Sequence, residues 1–111
     1  MDTSIYKVVR QAEYETARAD GSFRGSPDDA RDGYVHLSSK AQLRGTLARH
    51  FANERGLVVL EVEAAKLGGQ LRWEPSRDGA LFPHLYGALP MSAVMRTLVI
   101  DRAGDLPQEF P

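Results

Sequence analysis

The sequence predicts an α+β domain with a mixed or antiparallel β-sheet and its two main helices in the N-terminal half. Three observations carry this. Helical patterns lie at 11–19 and 39–53 and nowhere later. From Leu57 onward the chain reads as strands separated by short turns. The resulting order is strand, helix, strand, helix, then mostly strands, a segregation that marks α+β rather than alternating α/β folds. The 111 residues, 42% hydrophobic and 26% charged, suit one domain over 1–111 with one core.

Ser4 to Arg10 opens as a strand rich in β-formers, with Ile5, Lys7 and Val9 alternating with Tyr6 and Val8. From Gln11 the residues favour helix, with Ala12, Tyr14, Ala17 and Ala19 as a modest apolar stripe and Asp20-Gly21 as the stop. Ser22 to Asp32 reads as loop, with one helical turn after Pro27. Asp28, Asp29 and Asp32 within it suggest a metal cluster at first sight. A solvated loop is the favoured reading, since turn chemistry alone enriches Asp.

Asp32-Gly33 is a turn dipeptide, and Tyr34 to Ser38 alternates as a short strand. Val35 and Leu37 take one face, and Tyr34, His36 and Ser38 the other. Ser39 to Asn53 is the strongest helix. Ser39 and Gln42 stand in capping-box positions, and Leu43, Leu47 and Phe51 recur every four residues. Such a helix start attracts anions. His50, near the helix end, reads as a surface or capping residue. Leu57 to Glu63 is a strand apolar on both faces and therefore central. A turn spans 64–69, and Gln70 to Glu74 forms a short strand with Leu71 and Trp73 on one face and Arg72 and Glu74 on the other. A single indole in a small domain usually anchors packing, so Trp73 reads as core. Leu81 to Tyr86 is extended, and Pro83 argues for an edge or a bulge. Phe82, His84 and Tyr86 share a face there. Gly87 to Pro90 turns, Met91 to Arg102 closes the fold as a strand, and Ala103 to Pro111 is expected to pack loosely.

The net charge of -1 argues against a dedicated nucleic-acid binder, though not against a small anionic ligand. The absence of cysteine excludes disulfides, thiolate nucleophiles and cysteine-ligated zinc. The first ten residues lack a signal-peptide pattern. Leu57 to Leu60, the longest aliphatic run, is too short to cross a bilayer. Cytoplasmic residence without membrane contact is the expectation.

His36-Leu37-Ser38 and His84-Leu85-Tyr86 echo each other. Each puts an imidazole and a hydroxyl on one strand face, two residues apart. Such pairs can hold a sugar or phosphate, and a His can move protons near pH 7. The competing reading makes each His a satisfied, part-buried residue. Glu74 can orient a hydroxyl or act as a base, with Arg72 or Arg77 as partner. Arg24-Gly25-Ser26 sets a cation and a hydroxyl beside a flexible glycine that can close over a phosphate. A metal held by His36, His84 and Glu74 is disfavoured, since no ligand pair at helical spacing supports it. No Gly-x-Ser-x-Gly elbow is present.

The stretches Asp32-Gly-Tyr-Val-His-Leu-Ser-Ser39, Leu57-Val-Val-Leu-Glu-Val, Leu71-Arg-Trp-Glu74 and Phe82-Pro-His-Leu-Tyr-Gly87 together resemble the small bacterial domain-of-unknown-function family 952. The resemblance runs from Ile5 to about Ile100. It implies a fold similar to the ADP-ribosyltransferase-like split β-sheet, which pinches NAD between its halves. Such enzymes carry a His on an early strand, followed after a glycine by Ser or Thr, that contacts the ribose and nicotinamide side of NAD. His36 and Ser38 match, while Leu37 stands in place of the glycine and would narrow the nicotinamide pocket. Tyr86 and Trp73 are the candidates for the stacking aromatic. Glu74 is the candidate for the carboxylate that stabilises an oxocarbenium ion, with Glu61 and Glu63 behind it.

Three expectations follow. In the first, the protein is an NAD- or nucleotide-binding domain that transfers or processes ADP-ribosyl groups. His36 and Glu74 act there with help from Ser38 and Tyr34, and Arg24 and Ser26 meet a phosphate. NAD is then a substrate, and no metal is needed. In the second, His36 and His84 form the acid–base pair of a two-histidine phosphoesterase acting on cyclic phosphates. In the third, the same pocket only senses a nucleotide.

Overall fold

The structure, a computed structural model, describes residues 3–76 and 79–108. Its centre is a three-stranded antiparallel sheet. Ser4–Arg10 (β1) and Val94–Arg102 (β8) flank Arg55–Glu63 (β4). The unbroken apolar run 57–60 takes the middle, as its two-sided hydrophobicity demands, and Leu57 through Leu60 are each 0% exposed. Val9, Val58 and Val99 stand in register across the sheet.

The sequence suggests one core, but the apolar residues divide into two clusters. Ile5, Val9, Val58 and Leu60 pack with Phe23, Val35, Leu37 and Leu85. Tyr6, Val8, Leu57, Val59 and Ile100 pack with Leu43, Leu47 and Leu106. Strand alternation explains the division, because a sheet buried on both faces serves two layers. Leu106 corrects the expectation of a loose tail. It is buried, and its carbonyl accepts from the Arg44 guanidinium at 3.1 Å.

The helix Gln11–Asp20 (α1) ends at Gly21, whose φ of 86° is the left-handed cap expected of glycine. Only Ala17 of its alanines is buried. The helix Lys40–His50 (α3) is shorter than the pattern suggests, because Phe51 already leaves helical geometry. Its capping box is made: Gln42 N–H donates to Ser39 Oγ at 3.2 Å, and Ser39 N–H to Gln42 Oε1 at 3.0 Å. Leu43 and Leu47 are each 1% exposed.

The stretch from Ser22 to Asp32 is more ordered than a loop. Ser22–Phe23 (β2) pairs with Leu89–Pro90 (β7), and Pro27–Asp32 forms a short helix (α2). A second antiparallel sheet joins Val35–His36 (β3), Leu81–Leu85 (β6) and Leu71–Pro75 (β5), in the order β3-β6-β5. β6 is thus the middle strand, against the expectation from Pro83. The proline is tolerated because β3 is only two residues long. The Pro83 carbonyl accepts from Leu37 N–H at 3.0 Å, so the missing donor faces the end of that short neighbour. Trp73 is 42% exposed, not core, since it lies on the edge strand β5 opposite Pro83. The two sheets meet where Tyr6 and Ser38 exchange backbone hydrogen bonds, both 2.8 Å long. No helix among the described residues is long and apolar enough to cross a membrane.

Candidate functional site

His36 of β3 and His84 of β6 are direct register partners, so their side chains leave on one face of the second sheet. Their ring centroids lie 5.8 Å apart and edge-on. Tyr34 covers both, stacked on His84 at 4.0 Å and tilted against His36 at 4.6 Å. All three line a cavity of about 240 Å³ between the sheets, together with Tyr6, Lys7 and Ser38. Neighbouring strands deliver residues that are 48 positions apart, and strand pairing fixes their meeting.

The His36 ring is set by α2. Ser26 caps that helix, and Asp29 stands three residues on. Its Oδ2 accepts from Ser26 N–H at 2.9 Å, and its own N–H donates to Ser26 Oγ at 3.3 Å. Held there, Asp29 Oδ1 takes His36 N–H at 3.0 Å and lies 2.6 Å from His36 Nδ1. Lys7 Nζ reaches the same carboxylate at 3.0 Å, and both side chains are buried. Burial pushes the Asp29 carboxyl up, but the His36 bond, the Lys7 charge and the Ser26 and His36 N–H groups outweigh it. The net result holds Asp29 well below the usual carboxylate range. Burial also drives the Lys7 ammonium below its ordinary value, with Asp29 opposing.

Gly33, at φ 87°, turns the chain from α2 into β3. This brings Asp32 Oδ2 to 2.9 Å from His36 Nε2. Hydrogen bonding to Arg31 is the main cause that lowers the Asp32 carboxyl. Ionised carboxylates only accept, so a ring carrying both protons is the one that makes both bonds at once.

His84 is anchored differently. Its Nδ1 lies 2.8 Å from Glu74 Oε1, which also accepts from the Tyr86 hydroxyl at 2.6 Å. Those two bonds, Tyr86 foremost, hold Glu74 below the usual range. An ionised Glu74 makes Nδ1 the donor, and in the neutral ring the lone pair then lies on Nε2. Among the described residues, neither His84 Nε2 nor Glu74 Oε2 has a hydrogen-bond partner. His84 is 3% exposed, yet it lines the cavity.

Of the residues marked in the sequence, Ser26, Tyr34, His36, Ser38 and His84 line this cavity. Ser38 turns its hydroxyl to Thr46 at 2.6 Å. Glu74 and Tyr86 lie behind this lining, bonded to each other, and Glu74 joins them to His84. Arg24 lies elsewhere, in a neighbouring hollow beside α1 with Glu13 and Asp20. Trp73 projects from the opposite face of the sheet, as its pairing with Pro83 requires. Glu61 is bonded to Arg96 in the central sheet at 2.6 Å. The partners of Glu74 are His84 and Tyr86, while Arg72 lies over the Tyr86 ring at 5.3 Å and Arg77 falls outside the described residues. Asp29, Asp32 and Lys7 are the site residues that sequence reasoning missed. Asp29 is 3% exposed, so the solvated-loop reading fails for it. The cue was present: Ser26-Pro27-Asp28-Asp29 is a capping box with proline at the first helical position. Among the described residues no group of three His, Asp or Glu side chains is arranged to hold a metal ion.

These features define an α+β domain of two joined three-stranded antiparallel sheets and a small β2-β7 ladder, with a carboxylate-anchored histidine pair between the larger sheets. The model of the family "protein of unknown function (DUF952)" matches residues 8–97, and the chain belongs to that family. It is similar to protein CC0527 from Caulobacter crescentus. The crystal structure of that protein superposes with a TM-score of 0.86 at 44% identity, covering 93% of this chain and 96% of the other. Its solution structure gives a TM-score of 0.80 at 46% identity, covering 95% and 91%. Comparison with curated proteins gave no match.

Proposed function

We propose that the cavity binds NAD or a related ADP-ribosyl nucleotide, and that the domain processes the ADP-ribosyl group. The observation that carries this is the pairing of His36 and His84 at 5.8 Å in one cavity, beside the ionised Glu74. The arrangement of two three-stranded sheets joined at Tyr6 and Ser38, with the cavity between, supports a split-sheet ADP-ribosyltransferase-like fold. At about 240 Å³ the cavity is smaller than the roughly 300–1,000 Å³ of pockets that enclose whole ligands. It suits a ribosyl unit, with the remainder of the nucleotide lying across the surface.

Asp29 fixes the His36 ring from the buried side. The Asp32 contact faces solvent, and a ribose hydroxyl can share or replace it. Tyr34 covers the rings, and Ser38 supports the wall. Glu74, already ionised, stands behind His84, and its fixed negative charge favours positive charge developing at an anomeric carbon in the cavity. A two-histidine phosphoesterase needs a free nitrogen on each ring. With Nδ1 of His36 on buried Asp29 and Nε2 on Asp32, that ring serves better as a donor to a hydroxyl than as a proton acceptor, and this favours the ADP-ribosyl reading.

Thermal melts with NAD, ADP-ribose and a nucleoside cyclic phosphate test the proposal. Ligand at a hundredfold excess over Kd adds about 2.7 kcal/mol, or some 10 °C at this chain length. NAD and ADP-ribose are expected to raise Tm, and His36→Ala to abolish the rise while the domain stays folded. Glu74→Gln is expected to keep binding and lose turnover. A rise with the cyclic phosphate alone would refute the proposal. Binding of NAD without turnover by the wild type would leave only nucleotide sensing.

A further inference from the structure

We infer that His84 is the general base that delivers water to the anomeric carbon, so that the ADP-ribosyl acceptor is water and the reaction is glycohydrolysis. The inference rests on the ADP-ribosyl reading of the cavity and adds the nucleophile and the residue that activates it.

Three observations point to it. Glu74 Oε1 fixes the His84 ring through Nδ1 at 2.8 Å, and the Tyr86 hydroxyl holds the same oxygen at 2.6 Å. A base oriented through its far nitrogen by a carboxylate, itself held by a second donor, is poised to take a proton at Nε2. Second, Nε2 has no partner among the described residues, whereas both nitrogens of His36 are engaged. The two imidazoles are therefore unequal, and only His84 has a nitrogen to spare. Third, His84 is 3% exposed and lies under Tyr34 at 4.0 Å in a cavity of about 240 Å³. So small an opening at a nearly buried ring suits a water molecule better than the side chain of an acceptor protein.

The step balances without a further reagent. A water oxygen bonds to the ribose C1′ as the bond from C1′ to the nicotinamide nitrogen breaks. That bonding pair neutralises the pyridinium, and nicotinamide leaves. The water proton passes to His84 Nε2 and then to solvent. The products are ADP-ribose, nicotinamide and one proton. Glu74 orients His84 through Oε1 and, from behind that ring, supplies negative charge to the site.

The test uses the full chain with NAD, and follows nicotinamide and ADP-ribose by chromatography and NAD binding by calorimetry. His84→Asn keeps an N–H donor toward Glu74 but has no basic nitrogen. It is expected to retain measurable NAD binding and, at saturating NAD, to hydrolyse it about 10²–10⁴-fold more slowly. Azide needs no deprotonation, so adding it is expected to restore nicotinamide release in this variant, with ADP-ribosyl azide as product. A merely structural role for His84 would not produce that rescue. Hydrolysis by His84→Asn at the wild-type rate, or a slow variant that azide does not rescue, would overturn the inference. NAD binding by the wild type without nicotinamide release would overturn it and leave the binding proposal standing. Absence of NAD binding to the wild type would remove both.

Discussion

Replacing Asp29 by alanine should destabilise the protein by about 3–5 kcal/mol, the usual cost of removing one partner from a buried ion pair. The carboxylate is 3% exposed and Lys7 6%, with Nζ 3.0 Å away, so solvent cannot take the place of the lost charge. The same change unmakes the Ser26 capping box, itself worth about 1 kcal/mol. A domain of this size shifts Tm by about 4 °C per kcal/mol, so a loss of roughly 12–20 °C is expected in thermal melts at pH 7. The cost should shrink as the solution becomes more alkaline, because burial already pushes Lys7 toward its neutral form. Acid should act on the wild type in the opposite sense. The folded Asp29 titrates below its unfolded value of about 3.9, so its contribution is complete above that value and drains away as pH falls further. In Asp29→Asn that acid-dependent loss should be missing. The double variant with Lys7→Met should recover at least about 1 kcal/mol relative to the sum of the single changes, as expected for directly coupled groups. A melt of Asp29→Ala within about 1 kcal/mol of wild type would refute the reasoning.

Other changes test other links. Leu43→Ala, at a position 1% exposed, should cost about 2–5 kcal/mol in urea unfolding by opening a cavity between α3 and the central sheet. Ser39→Ala removes an observed cap and should cost about 1 kcal/mol by the same assay. Trp73→Ala should cost under about 1 kcal/mol, because the indole stands 42% exposed on an edge strand.

The parts of the fold set by local chemistry were legible in the residues. Ser4–Arg10 and the run at 57–63 read as strands from composition alone, and Gly21 and Ser39 marked helix ends through turn and cap chemistry. The His-x-hydroxyl echo showed where chemistry gathers. What stayed hidden depended on pairing across the chain. Pro83 argues for an edge by the general rule, and only the brevity of β3 allows it in the middle strand. Trp73 looks like core by type, yet its register opposite Pro83 places it on the outer face. Asp29 looked solvated because sequence cannot show Lys7, 22 positions earlier, arriving beside it. Its capping box was readable, but the use of the second carboxylate oxygen to hold His36 was not.

The central claim is that the two histidines, held unequally by their carboxylates, form one nucleotide site. Long-range ¹H–¹⁵N spectra of the imidazoles, recorded while ADP-ribose is added, test it most directly. His36 and His84 should shift together and saturate at one ligand per chain. Saturating ADP-ribose that moves neither ring, or only one of them, would contradict the account.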